Sequence, residues 1–188
     1  FDFITDQGAD VGDDDPTAMA EFFGDFMTVN GKIWGKFNVE PRKYRLRLLN
    51  GCDSRFLVVE FYAVALDQAD FTNATAVPFL VIGGDQGFAS SAVETTVTVL
   101  EPSARHDVII DFSEYQGQRI IMKNIGGDEP FGGDIPGPQI FEHTDKVMAF
   151  DVVNKLDESV ADDFDPSWIA FPFKLTQETS RVRKVGLF

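Results

Sequence analysis

Short apolar runs separated by turn residues recur from residue 26 to residue 153, and they predict a protein built of β-strands. The first run, Phe26–Val29, is followed by Asn30-Gly31, a pair that favours a two-residue type I′ hairpin turn, and then by Lys32–Phe37. Hardly any segment shows the 3.6-residue apolar period of an amphipathic helix. Strands at this spacing predict an all-β protein, an antiparallel Greek-key sandwich or barrel.

The later runs differ in how deeply they should be buried. Residues 44–49 alternate between apolar and mostly basic positions, which predicts a half-buried strand with a basic outer face. The near-continuous apolar runs Phe56–Val64 and Phe79–Ile82 should lie in the middle of their sheets. Residues 93–99 alternate between valine and polar side chains and predict a further half-buried strand. Three more strands complete the set: Val108–Phe112, Arg119–Ile125 and Lys146–Val153.

Two stretches lack this rhythm. Residues 125–138 contain five glycines and three prolines, and we predict a long irregular surface loop, of the kind that is usually functional or mobile. Residues 155–188 contain Pro166 and Pro172, and we interpret them as an extended connector packed on the domain. The aromatic side chains around these prolines should be covered by a neighbouring surface.

The charge is strongly negative and unevenly distributed. Asp and Glu number 31 against 16 Lys and Arg, giving a net charge of −15, which argues against nucleic acid as a partner. Residues 1–25 carry eight carboxylates and no basic side chain, a composition typical of a solvated arm. No run approaches 18 apolar residues, so no membrane span is predicted. The predicted organisation is an acidic arm (1–19), a β domain (20–154) and the connector (155–188).

Candidate reactive groups are few and scattered. The chain has one cysteine, Cys52, and two histidines, His106 and His143. A mononuclear copper site needs two His and one Cys in one place, and these three lie in unrelated segments, so no metal site is predicted. Asn73-Ala74-Thr75 satisfies the acceptor pattern for N-glycosylation, which also arises often by chance. The residues alone predict a non-catalytic β domain.

Several blocks of the sequence resemble the second domain of multicopper oxidases, and among these the spore-coat laccases and bilirubin oxidases. They keep the order and spacing of that family over roughly residues 20–153, and the block Val39–Arg47, Val-Glu-Pro-Arg-Lys-Tyr-Arg-x-Arg, is specific. The matching blocks are Gly24–Trp34, Val39–Asn50, Ser54-Arg55, Ile82–Gly87 and Pro102–Phe112.

The resemblance implies a cupredoxin-like fold and a parent enzyme of three such domains. Such enzymes oxidise phenolic or aromatic donors and reduce oxygen to water, with copper held by His-x-His pairs and a His-Cys-His segment in the first and third domains. This sequence has no His-x-His pair. We therefore predict a middle domain without copper, inactive alone, that orients its neighbours and forms one wall of the donor cleft. The alternative is a stand-alone β-sandwich with a binding or structural role.

The same resemblance places further expectations on the chain. It favours a secreted, periplasmic or cell-envelope location. The residues 183–188 resemble the first strand of a third domain, so the connector should lead into a domain that is missing here. The partners of this chain are then flanking cupredoxin domains of the same polypeptide, and the isolated chain is expected to self-associate through surfaces meant for them.

Two sets of candidate site residues follow. The loop glycines Gly126, Gly127, Gly132 and Gly133 are expected to border the donor cleft, where small side chains let a bulky donor approach. The alternative is a solvent-exposed loop that makes no contact with substrate. Contacts with neighbouring domains are expected from arginines, whose forked donors suit carboxylates and carbonyls, and from connector aromatics: Arg42, Arg45, Arg47, Arg55, Trp168, Phe171 and Phe173. Arg55 is also expected to bond back to the turn Gly51–Ser54.

Overall fold

A computed structural model describes residues 21–171, 181–184 and 186 of the 188-residue chain, so the predicted acidic arm lies outside the described residues. Regular structure in these ranges is nearly all β-strand, and two short 3-10 helices, Ser113–Tyr115 and Pro166–Trp168, complete it. No helix among the described residues is long and apolar enough to cross a membrane. The strands are β1 (Thr28–Val29), β2 (Lys32–Ile33), β3 (Lys36–Val39), β4 (Lys43–Leu49), β5 (Leu57–Ala65), β6 (Thr75–Ala76), β7 (Phe79–Gly84), β8 (Gly87–Thr95), β9 (Val97–Leu100), β10 (Arg105–Asp111), β11 (Gln118–Asn124) and β12 (Lys146–Val152).

The strands form two packed sheets and a separate hairpin. One sheet has the order β4-β10-β7-β8, and the larger one has the order β3-β12-β11-β5, with β6 and β9 both paired to β5. Spatial neighbours are thus often distant in sequence, as in Greek-key sandwiches. The predicted all-β Greek-key fold is confirmed. β1 and β2 form the hairpin, and the positive φ angles of Asn30 and Gly31 fit the type I′ turn expected there.

Aromatic side chains fill the space between the two sheets. Phe61 of β5 meets Phe79 of β7 edge-on, with ring centroids 5.2 Å apart, and Phe112 packs against Phe150 of β12 at 5.4 Å. None of these four rings is more than 5% exposed. Burying one such side chain stabilises the fold by about 1.5–3 kcal/mol. The two apolar runs predicted to be central are confirmed as β5 and β7, each paired on both sides.

Two details of the sheets differ from the prediction. Residues 93–99 do not form one strand, because β8 ends at Thr95 in the smaller sheet and β9 begins at Val97 in the larger one. The alternating pattern suggests that the valines face the core and the polar side chains face solvent. Because the chain crosses between sheets here, Thr98 is buried, whereas Val93 and Val97 are exposed. In addition, β3 runs parallel to β12, so the sandwich is not purely antiparallel.

After β12 the chain crosses the outer face of the smaller sheet. Backbone carbonyls of Asp157 and Val160 accept hydrogen bonds from the guanidinium of Arg42. Further along, Ile169 is buried against the outward side chains of β7 and β10. The described part of the connector is therefore packed on the domain. Its role as a link to a third domain stays a prediction, and residues 172–180, 185, 187 and 188 lie outside the described residues.

Candidate functional site

The glycine-rich loop between β11 and β12 is organised around one buried carboxylate, that of Asp128. Its Oδ2 accepts hydrogen bonds from the backbone N–H groups of Ile140 (2.8 Å) and Phe141 (3.0 Å) and from the hydroxyl of Thr144 (2.9 Å). Its Oδ1 accepts a hydrogen bond from Nη2 of Arg55 at 2.9 Å. One side chain thus ties the start of the loop to its end, which fixes a single path for a segment rich in glycine and proline.

Arg55, just before β5, is as deeply buried as its partner: the side chains of Arg55 and Asp128 are 4% and 1% exposed. Nη2 also donates to the carbonyl of Gly24 at 2.7 Å, so the arginine joins the N-terminal segment to the loop. The expected bond from Arg55 back to the preceding turn is therefore wrong, because its guanidinium is drawn to the buried carboxylate. The side chain of Asn50 holds that turn instead, donating to the carbonyl of Arg55 and accepting from the N–H of Cys52.

The four candidate glycines divide into a buried pair and an exposed pair. A Cβ added at Gly126 would lie 2.7 Å from the carbonyl oxygen of Phe56, and one added at Gly127 would lie 2.7 Å from the returning backbone of the loop. Gly127 also has a φ of +83°, which favours glycine. Gly132 and Gly133 are exposed, with no other atom within 4 Å of an added Cβ. The first pair is required by close backbone contacts, and only the second is accessible to a ligand, although the φ of +96° at Gly133 also favours glycine.

The exposed part of the loop is anchored by an aromatic stack. Phe131, next to the exposed glycines, lies nearly parallel to Phe56, with ring centroids 4.7 Å apart and planes 14° apart. Near it, a cavity of about 160 Å³ is lined by loop residues that include Asp128 and Thr144. That volume is below the range of ordinary ligand pockets, so the accessible feature of the loop is its outer edge.

A larger groove of about 490 Å³ lies on the outer face of the six-stranded sheet. Ile121 of β11 and Ala149 of β12 line it, together with Trp34, whose ring meets that of His143 edge-on at 6.0 Å. Met148 of β12 and Ala69 of the loop after β5 add to its apolar lining. The guanidinium of Arg119, also in the lining, is bound to Asp151 within the domain. Lys146 and Asp70 also line the groove, and they are bound within the domain to Asp145 and to Gln68 and Thr72, respectively. The groove thus combines apolar surface with charged side chains that already have partners.

The other three candidate arginines lie on β4 or just before it. Arg42 is buried and pairs with Glu40 at 2.8 Å, in addition to its bonds to the connector. The Nε of Arg45 donates to Asp107 of β10 at 2.8 Å. Arg47 is exposed. Carboxylates and carbonyls do occupy the forked donors of Arg42 and Arg45, but these acceptors belong to this domain. The expected contacts with flanking domains stay a prediction.

The connector aromatics leave an exposed apolar surface beside β8. Trp168 and Phe171 are 58% and 50% exposed. Phe171 stacks on Phe88 of β8, with centroids 5.4 Å apart and planes 11° apart, and the guanidinium of Arg45 lies 5.4 Å from the same Phe88 ring. Phe173 lies outside the described residues. Such a surface is one that a neighbouring domain or a second copy would cover.

The three potential copper ligands have separate surroundings. Burial raises the pKa of the Cys52 thiol above its ordinary value, and the nearby Arg55 opposes the shift only in part. Nδ1 of His106 is hydrogen-bonded to the hydroxyl of Thr98 at 2.8 Å, whereas His143 packs against Trp34. Within the described ranges, no group of three or more His, Cys, Asp or Glu side chains is arranged to hold a metal ion. The residues present do not fit a copper site, which needs converging imidazole and thiolate donors.

Sequence reasoning missed the residues that organise the loop, Asp128 and Asn124. The Oδ1 of Asn124 accepts hydrogen bonds from the N–H groups of Val58 and Gly126, each at 3.0 Å, and so fixes the point where the chain leaves β11. With 31 acidic residues in the chain, composition singles out no carboxylate. The usable signal is position, since Asp128 directly follows two glycines at the end of a buried strand.

Comparison with known proteins places the domain in a wider context. No family model matches the sequence. The chain is 38% identical over 136 residues to bilirubin oxidase of Albifimbria verrucaria, a match that covers 72% of this chain and 22% of that protein. It is 37% identical over 120 residues to a laccase of Bacillus subtilis, covering 64% of this chain and 20% of that one. The chain spans about a fifth of the length of these curated relatives.

Solved structures share the fold. A multicopper oxidase of Aquifex aeolicus matches with a TM-score of 0.58 and 23% identity over 78% of this chain and 28% of its own. A laccase of Pediococcus acidilactici matches with a TM-score of 0.57 and 25% identity over 86% of this chain and 29% of its own. The two-sheet Greek-key sandwich is thus a cupredoxin-like fold. With the sequence matches, the chain is a multicopper oxidase-like cupredoxin domain, and the resemblance of its sequence blocks is confirmed.

Proposed function

We propose that this chain is the middle domain of a multicopper oxidase whose whole polypeptide oxidises phenolic or aromatic donors and reduces oxygen to water. The observation that carries the proposal is the extent of the sequence matches. They cover most of this chain but only about a fifth of the bilirubin oxidase and the laccase. Further cupredoxin domains in the same polypeptide are then its partners, and a secreted, periplasmic or cell-envelope location belongs to the same proposal.

In this proposal the copper ions belong to the other domains. Two features support it: the sequence has no His-x-His pair, and its one Cys and two His side chains have separate surroundings. The chain contributes rigidity instead. Its Phe-rich core and the buried Arg55–Asp128 pair hold the outer surfaces at fixed positions, which is what a spacer between two catalytic domains requires.

The exposed edge of the Asp128 loop is proposed as the wall of the donor cleft. Gly132 and Gly133 present backbone without side chains, so the ring of a bulky donor can approach closely. The base of the loop is already fixed by Asp128, so little conformational entropy is lost when a donor binds there. Gly126 and Gly127 serve the proposal indirectly, since they allow the close backbone packing that positions this edge.

The border with the flanking domains is proposed on the side of the connector. The exposed side chains of Trp168 and Phe171 lie there, and Phe171 stacks on the Phe88 ring that Arg45 also contacts. Aromatic and arginine side chains are enriched in protein interfaces, which supports this choice. The same surface explains the expected self-association of the isolated chain, because a second copy can cover what the neighbouring domain would otherwise bury.

The experiment uses the parent oxidase with Gly132→Leu, because a side chain at that position meets no other atom within 4 Å and leaves the loop intact. We expect kcat/KM to fall for large phenolic donors and to change little for small ones. A loss of about 1.4 kcal/mol of transition-state binding would appear as a tenfold decrease. Copper content and the visible spectrum should stay the same.

Gly51→Leu is the matched control, because Gly51 is also open to solvent but lies in the turn after β4. It should leave both classes of donor unaffected. Replacing Gly126 is not a suitable test, since its Cβ would collide with the backbone and displace the whole loop. If Gly132→Leu changes large and small donors alike, or neither, the loop is not part of the cleft.

A further inference from the structure

We propose that Asn73 carries an N-linked glycan. It begins the tripeptide Asn73-Ala74-Thr75, which has the acceptor pattern with a middle residue other than proline. The pattern alone is weak support because it is short. The positions of the three residues in the structure provide the stronger support.

The loop that carries the tripeptide follows β5 and is anchored to the larger sheet by Phe71. This ring meets that of Tyr62 edge-on at 5.7 Å, and the ammonium group of Lys123 lies 4.6 Å from its centre. The aromatic contact and the cation–π contact both stabilise the anchored position of the loop. The inward side of the loop is thus occupied by Phe71.

Hydrogen bonds within the loop fix its shape. The side-chain amide of Gln68 donates to the carboxylate of Asp70 (2.7 Å) and to the carbonyl of Thr72 (2.6 Å). The carboxylate of Asp70 also accepts from the N–H of Thr72 at 2.9 Å. These bonds are made by the residues before Asn73, so the loop keeps its shape without using the side chain of Asn73.

Asn73 itself lies at the exposed turn of this loop. Its φ of +54° is in the left-handed region, where asparagine is accepted far more readily than most residues. Thr75, also exposed, is in β6, which pairs with β5 and has no other neighbour among the described strands. Both groups that the transferase must reach, the amide of Asn73 and the hydroxyl of Thr75, are therefore accessible, and a glycan here would shield a free sheet edge.

Two other asparagines show what an unsuitable position looks like. Asn50 and Asn124 are 0% and 4% exposed, and their side chains hold turns through hydrogen bonds to the backbone. A glycan on either would require the fold to open. Asn73 has neither constraint, and this contrast separates it from a chance occurrence of the pattern in a buried strand.

The modification is a simple group transfer. The side-chain amide nitrogen of Asn73 forms a bond to the anomeric carbon of a lipid-diphosphate-linked oligosaccharide. The bond from that carbon to the diphosphate oxygen breaks, the lipid diphosphate leaves with the electron pair, and the amide nitrogen loses one proton. The proposal rests on the secretory location in the proposed function and is independent of the copper assignment. It also implies that the loop after β5 faces solvent in the parent protein.

The test is secretion of the parent protein from a eukaryotic host that performs N-glycosylation. The product is treated with N-glycosidase in heavy-oxygen water, and the peptide containing Asn73 is identified by mass spectrometry. We expect Asn73 to be converted to heavy-oxygen Asp. Asn73→Gln and Thr75→Ala should abolish the glycan at this peptide, Thr75→Ser should retain it, and Asn38→Gln, an exposed asparagine outside any acceptor pattern, should leave it unchanged.

The outcomes separate this proposal from the proposed function. An active secreted oxidase in which Asn73 is unmodified would overturn the glycan alone. A protein glycosylated at Asn73 that is folded and loaded with copper but has no oxidase activity would overturn the proposed function alone. An unmodified Asn73 in the protein isolated from its own source would likewise overturn the glycan proposal.

Discussion

Two arginine–aspartate pairs of identical chemistry lie at very different depths in this domain. The side chains of Arg55 and Asp128 are 4% and 1% exposed, whereas those of Arg45 and Asp107 are 51% and 17% exposed. Neither charge of the buried pair can return to water if its partner is lost, so each depends on the other. Water and salt screen the outer pair, and each of its members is stable alone.

The two pairs also differ in what they join. Arg45 and Asp107 lie on β4 and β10, strands already held by a seven-residue antiparallel ladder. Arg55 and Asp128 are 73 residues apart in sequence and lie beyond the end of the β5–β11 ladder, and with Gly24 they join three segments outside the strands. The buried pair fixes the base of the loop whose outer edge is the proposed cleft wall. A substitution in the pair should therefore alter activity by changing the shape of the loop.

The largest effect is expected from Asp128→Ala, measured by urea unfolding of the chain at neutral pH. It leaves the buried guanidinium of Arg55 unpaired and removes four hydrogen-bond acceptor contacts, so we expect a loss of about 3–5 kcal/mol. Arg55→Met with Asp128→Leu removes both charges together and should be less harmful than Asp128→Ala alone. If Asp128→Ala lowers the free energy of unfolding by less than about 1 kcal/mol, the buried pair contributes no more than an exposed pair, which would contradict the comparison.

An intermediate effect is expected at Asp151, which binds Arg119 and Lys36. Burial opposes ionisation of Asp151, but the hydrogen bonds from Arg119 and Lys36 outweigh it and hold its pKa below the ordinary value. Because the folded pKa is the lower one, this stabilisation is complete above the unfolded pKa of about 3.9 and is lost as pH falls through the folded pKa.

Asp151→Asn should therefore lower the free energy of unfolding at neutral pH and make stability less dependent on pH in the acid range. Urea midpoints measured from about pH 6 down to about pH 2 give both quantities. Asp107→Asn, at an exposed pair, is the matched control. If Asp151→Asn shows the same acid dependence as the unmodified chain, the carboxylate does not act through these hydrogen bonds.

The smallest effect is expected from Arg45→Met. The carboxylate of Asp107 raises the pKa of Arg45, but water competes for both groups, and exposed pairs contribute about 0–1 kcal/mol. The difference between Arg45→Met and the unmodified chain should shrink further at about 1 M salt. A salt-independent loss above about 2 kcal/mol would show that exposure is not what separates the two pairs.

Local sequence signals predicted the parts of the fold that depend on neighbours along the chain. Asn30-Gly31 specifies its own turn, and the apolar runs of β5 and β7 specify central strands wherever a second sheet covers them. The crossing between β8 and β9 was not predicted, because the alternating sequence pattern continues across the break. The break is visible only in the structure, where β8 pairs with β7 and β9 pairs with β5.

The candidate site was less predictable for the same physical reason. The glycine content predicted the loop. It did not show why glycine is needed at Gly126 and Gly127, because the backbone that would collide with a side chain there is distant in sequence. For Gly126 that backbone is at Phe56, and for Gly127 it is at Gly137 and Pro138. The Arg55–Asp128 pair spans 73 residues, and no local pattern selects one aspartate among so many acidic residues. Sequence thus located the loop without showing what holds it.

In the proposed function, this domain supplies no copper ligand to its parent oxidase. The direct measurement is the copper content and the thiolate-to-copper absorption of the parent carrying Cys52→Ser, His106→Gln and His143→Gln together. These are the one cysteine and the two histidines of this sequence. We predict the same number of copper ions per polypeptide and the same absorption as in the unmodified parent. A folded variant that has lost a copper ion or its blue absorption would contradict the account.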